Sequence, residues 1–388
     1  MLMIITPIAN RLHIVMIGEQ NSGKSSLLNA ITKQDVSIVS DVPGTTTDPV
    51  SKSMEVRGIG PCVFVDTAGI DDDAMLGALR VQKTRKYVAE ADMAIIVIDA
   101  TTGHLPAMEV KIPSVVVVNK TDLVWDETAR QVASVAQKRY DMEPIMASAV
   151  TREGIEDIIH AIAAALPEDW DALPLTTDIA HEGDLVLLVM PQDTQAPKGR
   201  LILPQVQTLR ELLDRKCRVM CCTTDLLPQT LASLASPPDA IITDSQDFMT
   251  VDTIKPAESR LTSFSILFAA SKGDINYFRR SARAIDFLTP HSRVLIAEAC
   301  THVPAEEDIG RVKIPRLLRA KAGEGLQIDT VSGKDFPDDL SPYDLIIHCG
   351  ACMFNRRLVL ARVDEAKRQH VPMTNYGIAI AYVNGILI

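Results

Sequence analysis

The stretch Gly18-Glu19-Gln20-Asn21-Ser22-Gly23-Lys24-Ser25-Ser26 lies between an apolar run and a segment that begins like a helix. This order of strand, glycine loop and helix is the context that a G-x-x-x-x-G-K-[ST] phosphate loop requires. The backbone N–H groups of such a loop face a phosphate. We predict that Lys24 contacts the β- and γ-phosphates and that Ser25 binds Mg²⁺. The predicted nucleotide contacts in the loop are Gly18, Asn21, Ser22, Gly23, Lys24, Ser25 and Ser26.

Two further phosphate-side motifs follow the loop in the expected order. The polar stretch Asp41–Asp48 suits a switch whose Thr46 closes on magnesium when a γ-phosphate is present. A buried strand then ends in the D-x-x-G sequence of Asp66 and Gly69. We expect Asp66 to hold Mg²⁺ through water and the Gly69 amide to sense the γ-phosphate.

The sequence also contains a guanine-recognition motif, Asn119-Lys120-Thr121-Asp122, after an apolar run. The carboxylate of Asp122 can accept hydrogen bonds from N1–H and the 2-amino group of guanine, and adenine offers no such pair. Ser148 and Ala149 match the last guanine-side loop more weakly. The predicted cofactors of this part are therefore GTP and Mg²⁺.

Composition restricts the class of protein. The 388 residues are 47% hydrophobic and 23% charged, which is typical of a globular chain with ample core. The net charge of −11 argues against a sequence-independent grip on nucleic acid. No apolar run approaches the roughly 20 residues of a membrane span, and the start of the chain lacks a basic n-region. Seven cysteines fit a reducing compartment, so we expect a cytoplasmic protein. The acidic charge and the lack of an apolar span predict neither nucleic-acid nor membrane partners.

The pattern of strands and helices predicts an α/β protein of three domains with mainly parallel sheets. Residues 1–170 form the P-loop GTPase domain, 180–260 a middle domain and 261–388 a third domain. The middle domain has no catalytic constellation, so we interpret it as a dimerisation module in which Cys221 and Cys222 are buried, inert thiols. We expect residues Met373 to Ile380 to form the closing strand of the third sheet.

Cysteines in the third domain follow two apolar runs that we expect to be strands. Cys300 and His302 follow the first run, and His348, Cys349 and Cys352 follow the second. If the two strands are neighbours, Cys300, Cys349 and Cys352 converge beyond their carboxyl ends. Thiolates select zinc or iron–sulfur centres. His302 or His348 would complete a Cys3His zinc site, whereas a cluster on three cysteines keeps one exchangeable iron position. The chemistry alone leaves both open.

The motifs of the first domain resemble those of the translation-factor-like small GTPases, nearest to the tRNA-modification and ferrous-iron-transport group. The resemblance implies that Asn21 coordinates K⁺, which supplies the charge that an arginine finger gives elsewhere. The catalytic residues implied are Asn21, Lys24 and Gly69. Ile70 stands where Ras-like proteins keep a water-orienting glutamine, so we expect slow intrinsic turnover.

A GTPase domain followed by C-x-H and H-C-x-x-C resembles the family of iron–iron hydrogenase maturation GTPases over the whole chain, including residues 196–205. The resemblance implies a 4Fe–4S cluster on Cys300, Cys349 and Cys352, with His302 and His348 as second-rank candidates for a labile fourth ligand. It further implies a homodimer and a scaffold. Such a scaffold receives a di-iron precursor made with two radical-SAM maturases and delivers it to the apo form of the FeFe-hydrogenase.

Two alternatives stay open. The first is an RNA-modifying or ribosome-associated GTPase with a structural zinc, which the first domain permits and the acidic balance disfavours. The second is a sensor that binds GTP and reports iron–sulfur status without contributing to hydrogenase activity.

Overall fold

The computed structural model describes most of the chain, in nine ranges: residues 8–32, 50–56, 59–67, 84–166, 173–190, 201–299, 308–333, 335–351 and 353–386. The chain forms two compact units, Met1–Asp171 and Ala172–Ile388. Six residues singled out by the sequence lie outside the described ranges: Thr46, Gly69, Ile70, Cys300, His302 and Cys352. Within those ranges, no helix has both the length and the apolar character needed to cross a lipid bilayer.

The first unit contains a six-stranded sheet in the order β2-β3-β1-β4-β5-β6. Only β2 runs antiparallel to its neighbour, and the other described pairs are parallel. The central strand β4 is buried at every residue, as expected for a parallel strand covered on both faces. The strands are β1 (Leu12–Gly18), β2 (Val50–Val56), β3 (Gly60–Asp66), β4 (Met93–Asp99), β5 (Ser114–Asn119) and β6 (Ile145–Met146). The helices are α1 (Lys24–Thr32), α2 (described over 84–90), α3 (Asp126–Tyr140) and α4 (Ile155–Ala165).

The second unit begins with a four-stranded parallel sheet in the order β10-β9-β7-β8. Its strands are β7 (Leu185–Val189), β8 (Arg218–Cys222), β9 (Ala240–Thr243) and β10 (Arg260–Ser263). Its helices are α5 (Leu203–Asp214), α6 (Leu227–Ala232), α7 (Phe248–Ile254) and α8 (Phe264–Lys272). Because β8 is an edge strand, Cys221 is exposed and Cys222 half-buried. The prediction that both thiols are buried is therefore wrong.

The rest of the second unit is another four-stranded parallel sheet, in the order β12-β11-β13-β14. Its strands are β11 (Arg293–Glu298), β12 (Gln327–Ser332), β13 (Leu345–His348) and β14 (Met373–Asn375). Its helices are α9 (Ile275–Ala282), α10 (Ile314–Ala322), α11 (Arg356–Arg368) and α12 (Tyr376–Val383). The fold class predicted from the sequence, a P-loop domain followed by further α/β structure with mainly parallel sheets, is confirmed.

Helix α8 belongs to the hydrophobic cores of both sheets of the second unit. Phe264 and Leu267 pack with the strands β7 and β9 of the first of these sheets. On another face of the helix, Ile266 and Ala269 pack in the core that contains strands β11 and β13. This shared helix explains why Ala172–Ile388 is one compact unit. The predicted boundary between residues 260 and 261 stays a prediction.

The closing strand of the last sheet is shorter than the sequence pattern indicates. Strand β14 ends at Asn375, and the prediction that it continues to Ile380 is wrong. The Asn375 side chain accepts a hydrogen bond from the Gly377 N–H (2.9 Å) and thereby caps α12. A fully apolar run has no periodicity that separates a buried strand from a buried helix, so this cap decides the outcome.

Candidate nucleotide and cluster sites

The phosphate loop joins the end of β1 to the start of α1. Asn21 and Gly23 have φ angles of 61° and 88°, which curl the backbone into the anion-binding shape that the sequence predicts. The Lys24 side chain is buried, and its Nζ donates to the carbonyls of Gly18 (3.1 Å) and Glu19 (2.8 Å). The lysine therefore lies folded against its own loop, within reach of an anion that enters it.

Asn119 fastens the phosphate loop to the guanine-side loop. Its Nδ2 donates to the carbonyl of Ser22 (3.0 Å), and its Oδ1 accepts the N–H of Ala149 (3.2 Å). A Cβ added at Gly23 would lie 2.3 Å from that Nδ2, so only glycine fits beside it. Asn119 thus joins two loops by hydrogen bonds: Ser22 lies 97 residues from it in sequence, and Ala149 lies 30 residues from it.

The predicted magnesium residues of β3 and α1 meet. The Ser25 hydroxyl donates to Oδ2 of Asp66. The other carboxylate oxygen, Oδ1, is buried and has no hydrogen-bond partner among the described residues. A hydroxyl beside an unsatisfied carboxylate oxygen is the hard oxygen donor set that Mg²⁺ prefers. These residues therefore fit the ion that the sequence predicts.

The guanine side of the site contains an ion pair that the sequence motifs do not include. Lys120 Nζ lies 2.6 Å from Oδ2 of Asp99, the last residue of β4. Burial alone would raise the pKa of Asp99, but hydrogen bonds from Lys120 and Thr101 and the charge of Lys120 outweigh it and lower the pKa. The pair fixes Lys120, whose φ of 65° is left-handed. The position of Asp99 at a parallel strand end is the signal that could have identified it.

The two remaining guanine-side predictions differ in exposure. Asp122 is exposed, which leaves its carboxylate accessible to a base. Ser148 is fully buried, and its Oγ accepts the N–H groups of Val150 (3.2 Å) and Thr151 (3.0 Å). Ser148 therefore shapes the loop that carries Ala149.

The nucleotide residues gather at one edge of the first sheet because β1, β3 and β5 are parallel and end there. The described predictions at this edge are Gly18, Asn21, Ser22, Gly23, Lys24, Ser25, Ser26, Asp66, Asn119, Lys120, Asp122, Ser148 and Ala149. Thr46 and Gly69 lie outside the described residues, so their roles stay predictions.

Strands β11 and β13 are neighbours, which confirms the condition on which convergence of the cysteines depends. Ala297 of β11 pairs with His348, the last residue of β13. Cys349 follows directly, and its Sγ accepts the N–H groups of Ala299 (3.0 Å) and Ala351 (3.4 Å). Hydrogen bonds to sulfur favour the thiolate form that binds metals. Cys349 therefore fits a soft-metal site, while Cys300 and Cys352 lie outside the described residues.

His348 is committed to other contacts. Its ring is fully buried, Nδ1–H donates to the Cys349 carbonyl (2.8 Å), and Nε2 accepts a hydrogen bond from Nη1 of Arg362 (2.9 Å). Burial and then the Arg362 charge lower the pKa of His348 to about 3. Both ring nitrogens are engaged, so this arrangement does not support His348 as the fourth ligand.

The carboxyl end of β11 carries polar residues that the sequence reasoning missed. The buried Glu298 carboxylate accepts hydrogen bonds from Nη2 of Arg311 (2.9 Å) and from the hydroxyl of Ser332 (3.1 Å). The buried Tyr376 hydroxyl has no hydrogen-bond partner among the described residues. A Cβ added at Gly310 would lie 2.1 Å from this hydroxyl and 2.9 Å from Oε1 of Glu298.

Comparison with known protein families assigns the second unit. Residues 175–273 match the hydrogen maturase F dimerization domain, and residues 276–388 match the hydrogen maturase F tetramerization domain. The two models together span more than half of the chain. The chain belongs to the hydrogen maturase F family. Residues 13–120 of this family member match a 50S ribosome-binding GTPase model, which fits its phosphate and guanine loops.

Curated relatives of this hydrogen maturase F member include tRNA modification GTPases. MnmE of Prochlorococcus marinus (strain NATL1A) is 34% identical over 157 residues, which cover 38% of this chain and 33% of MnmE. The mitochondrial MSS1 of Saccharomyces cerevisiae is 33% identical over 174 residues, covering 41% of this chain and 33% of MSS1. The chain thus spans about a third of the length of these curated relatives.

Two solved structures resemble part of the chain. Era in complex with MgGDPNP and nucleotides of 16S ribosomal RNA has a TM-score of 0.36 at 20% identity, covering 55% of this chain and 93% of Era. The G domain of the T. maritima iron transporter FeoB has a TM-score of 0.31 at 21% identity, covering 40% of this chain and 98% of that domain.

Proposed function

We propose that this family member is a GTP-hydrolysing scaffold for hydrogenase maturation. In this proposal it holds a 4Fe–4S cluster on Cys300, Cys349 and Cys352, receives a di-iron precursor and delivers it to the apo FeFe-hydrogenase. The observation that carries the proposal is the pairing of β11 with β13. Cys349 directly follows β13, and Cys300 follows Ala299, whose N–H contacts the Cys349 sulfur.

The cluster, when bound on three cysteines, supplies one iron with an exchangeable ligand, which is what a carrier needs. The chain's contribution is to orient the Cys349 sulfur, which accepts hydrogen bonds from the Ala299 and Ala351 amides. His302 remains a candidate for the fourth ligand. His348 does not suit that position, because Arg362 and the Cys349 carbonyl occupy its two nitrogens.

In the proposed GTPase reaction, Lys24 exchanges its carbonyl partners at Gly18 and Glu19 for the β- and γ-phosphates. Ser25, Thr46 and Asp66 would hold Mg²⁺, which neutralises phosphate charge when bound. Asn21 would hold the activating K⁺, the Gly69 amide would contact the γ-phosphate, and Asp122 would select guanine.

Ile70 offers no polar group to orient water, so turnover is slow without a stimulus. Nucleotide state can direct cargo transfer only if GTP and GDP bind two conformers of the scaffold with different affinities.

Self-association is supported by the dimerization and tetramerization domains that the chain matches. We propose a homodimer formed through the middle domain, working in the cytoplasm with two radical-SAM maturases and the apo-hydrogenase. Sedimentation of the purified chain at several concentrations measures the assembly. A monomer at all concentrations would contradict it.

Iron counting on anaerobically purified protein tests the cluster. We expect a brown protein with about four irons per chain, and loss of iron in Cys300→Ser, Cys349→Ser and Cys352→Ser. Cys221→Ser is the matched control, because Cys221 lies on the exposed edge strand β8, and it should keep its iron. A colourless wild type with stoichiometric zinc would support the RNA-modifying or ribosome-associated alternative.

Transfer to apo-hydrogenase separates the scaffold from the sensor. A loaded scaffold should activate apo-hydrogenase in vitro, and deleting its gene should abolish hydrogen production. A sensor would leave hydrogenase activity unchanged. Rates of dissociation from the hydrogenase should differ with GTP, GDP and no nucleotide, and equal rates would contradict nucleotide coupling.

A further inference from the structure

The loop between β13 and α11 rests on a buried cation from another part of the chain. Lys272 is the last residue of α8, and only 3% of it is exposed. Its Nζ donates to the carbonyls of Ala351 (3.0 Å) and Phe354 (2.6 Å). Burying an ammonium costs free energy unless its N–H groups make hydrogen bonds. The Lys272 ammonium therefore holds these two carbonyls in place.

The same loop has a strained backbone. Ala351 has a φ of 52°, a left-handed conformation that a residue with a Cβ rarely adopts. The N–H of Phe354 donates to the Ala351 carbonyl (3.1 Å). Such a conformation persists where the surroundings determine it more than once. The Ala351 carbonyl receives both this N–H and the Lys272 ammonium.

Lys272 also joins the loop to the rest of the second unit. The helix that ends at Lys272 packs in both cores of the unit, as described above. The carbonyl of Ser271 accepts a hydrogen bond (3.1 Å) from Nε of Arg356, which is the first residue of α11. Through Lys272, Ala351 and Phe354 on the two sides of Cys352 are therefore anchored to a helix that also packs on the middle sheet, whereas the Arg356 contact does not involve the loop carbonyls.

We propose that Lys272 is a positioning residue for the metal centre. Its ammonium holds the carbonyls of Ala351 and Phe354, and with them the loop that follows Cys349, in the shape that binds metal, and it brings a positive charge to that loop. This inference rests on the proposed function only in that these cysteines bind a metal, of whatever kind. Two consequences follow: metal affinity depends on the buried ammonium, and a cluster in this place has a higher reduction potential than it would without the charge.

Titration of the metal-free chain with Co²⁺ alone tests the first consequence, because thiolate ligation gives a charge-transfer band for any cysteine site. Lys272→Met should weaken Co²⁺ binding about tenfold or more, and Lys272→Arg, which keeps the charge, should recover part of the loss. Arg356→Met is the matched control: it removes a neighbouring contact between α8 and α11 without touching the loop carbonyls, and it should bind Co²⁺ like the wild type. Cys349→Ser shows which signal comes from the site.

The outcomes are distinguishable. Equal Co²⁺ affinity in wild type and Lys272→Met, or equal weakening in Arg356→Met, would overturn the positioning role. If the wild type binds Co²⁺ through Cys349 and Lys272→Met weakens it, yet no iron–sulfur cluster assembles, the proposed function fails and the positioning role stands. Where the cluster assembles, its reduction potential should be lower in Lys272→Met and unchanged in Lys272→Arg, and an unchanged potential in both would overturn the charge effect.

Discussion

Arg362 donates through Nη1 to Nε2 of the buried His348 across 2.9 Å, 14 residues away in sequence. Its Nη2 donates to the carbonyl of Gly333 (2.6 Å), and its guanidinium carbon lies over the ring of Phe336 (4.8 Å to the centroid) and over that of Phe354 (4.7 Å). The planar cation fixes the neutral tautomer of His348, whose Nδ1–H then holds the Cys349 carbonyl. The residue that precedes Cys349 is thus oriented by a side chain of α11.

Truncation of Arg362 should destabilise the metal-free protein. Arg362→Met removes the donor to the buried His348 Nε2 and to the half-buried Gly333 carbonyl, so we expect a loss of about 3 kcal/mol in the free energy of unfolding. Arg362→Lys should recover little, because an ammonium cannot span both acceptors in one plane. Urea denaturation measures the effect. Arg316→Met, on the exposed face of α10, is the control, and a loss in Arg362→Met as small as in this control would contradict the prediction.

Removing the Tyr376 hydroxyl should stabilise the metal-free chain. The hydroxyl is buried without a partner among the described residues, so Tyr376→Phe should raise the free energy of unfolding by about 1 kcal/mol. Gly310→Ala should be destabilising, because its Cβ would meet that hydroxyl, and less so in the Tyr376→Phe background. Thermal unfolding of the two single variants and the double variant gives the coupling. A destabilising Tyr376→Phe would show that the hydroxyl is satisfied.

Asp99 should make the first unit sensitive to acid. Its folded pKa is lowered, so its contribution to stability is complete above the unfolded pKa of about 3.9 and is lost as the pH falls through the lower folded pKa. Asp99→Asn should remove this part of the pH dependence. Hydrogen exchange of β4 and β5 over that pH range measures it. Asp157→Asn, at an exposed position of α4, should keep the wild-type profile, and parallel profiles for all three proteins would refute the assignment.

Asp122 should determine which base the site accepts. Asp122→Asn replaces an acceptor of two guanine N–H groups with an amide, so GTP affinity should fall by about 2 kcal/mol, or about 30-fold. Xanthosine triphosphate has a carbonyl in place of the 2-amino group, so its affinity should rise. Competition between the two nucleotides measures the change. Asp126→Asn, exposed at the start of α3, is the control, and an unchanged preference in Asp122→Asn would exclude a base contact.

Asn21 should make GTP hydrolysis depend on potassium. We expect kcat to be about tenfold or more higher in K⁺ than in Na⁺. Asn21→Gly should abolish the difference, because it removes the amide oxygen while tolerating the φ of 61° at this position. Gln20→Ala, at the exposed neighbouring residue, should keep the difference. Equal kcat values of the wild type in the two salts would remove the potassium hypothesis.

The described residues of the nucleotide motifs lie together because each motif is short and follows a strand. In a parallel sheet, this places motifs that are far apart in sequence at one edge, as seen for Ser25 and Asp66. The same reasoning anticipated that Cys349 lies beside the end of β11. It erred at Tyr376–Val383 and at Cys221, because a uniformly apolar run has no period and an edge strand has no signature of its own.

Sequence alone therefore determined the chemistry of the loops: the phosphate and guanine motifs, the cysteine spacing and the α/β class all rest on local order along the chain. Only the tertiary structure decided which partners the lysines near these loops contact. Lys272 reaches Ala351 across 79 residues, and Lys120 reaches Asp99 across 21. A lysine looks the same in sequence whether water or a carbonyl satisfies its ammonium. Only packing shows which one does, because burial is a property of the whole fold.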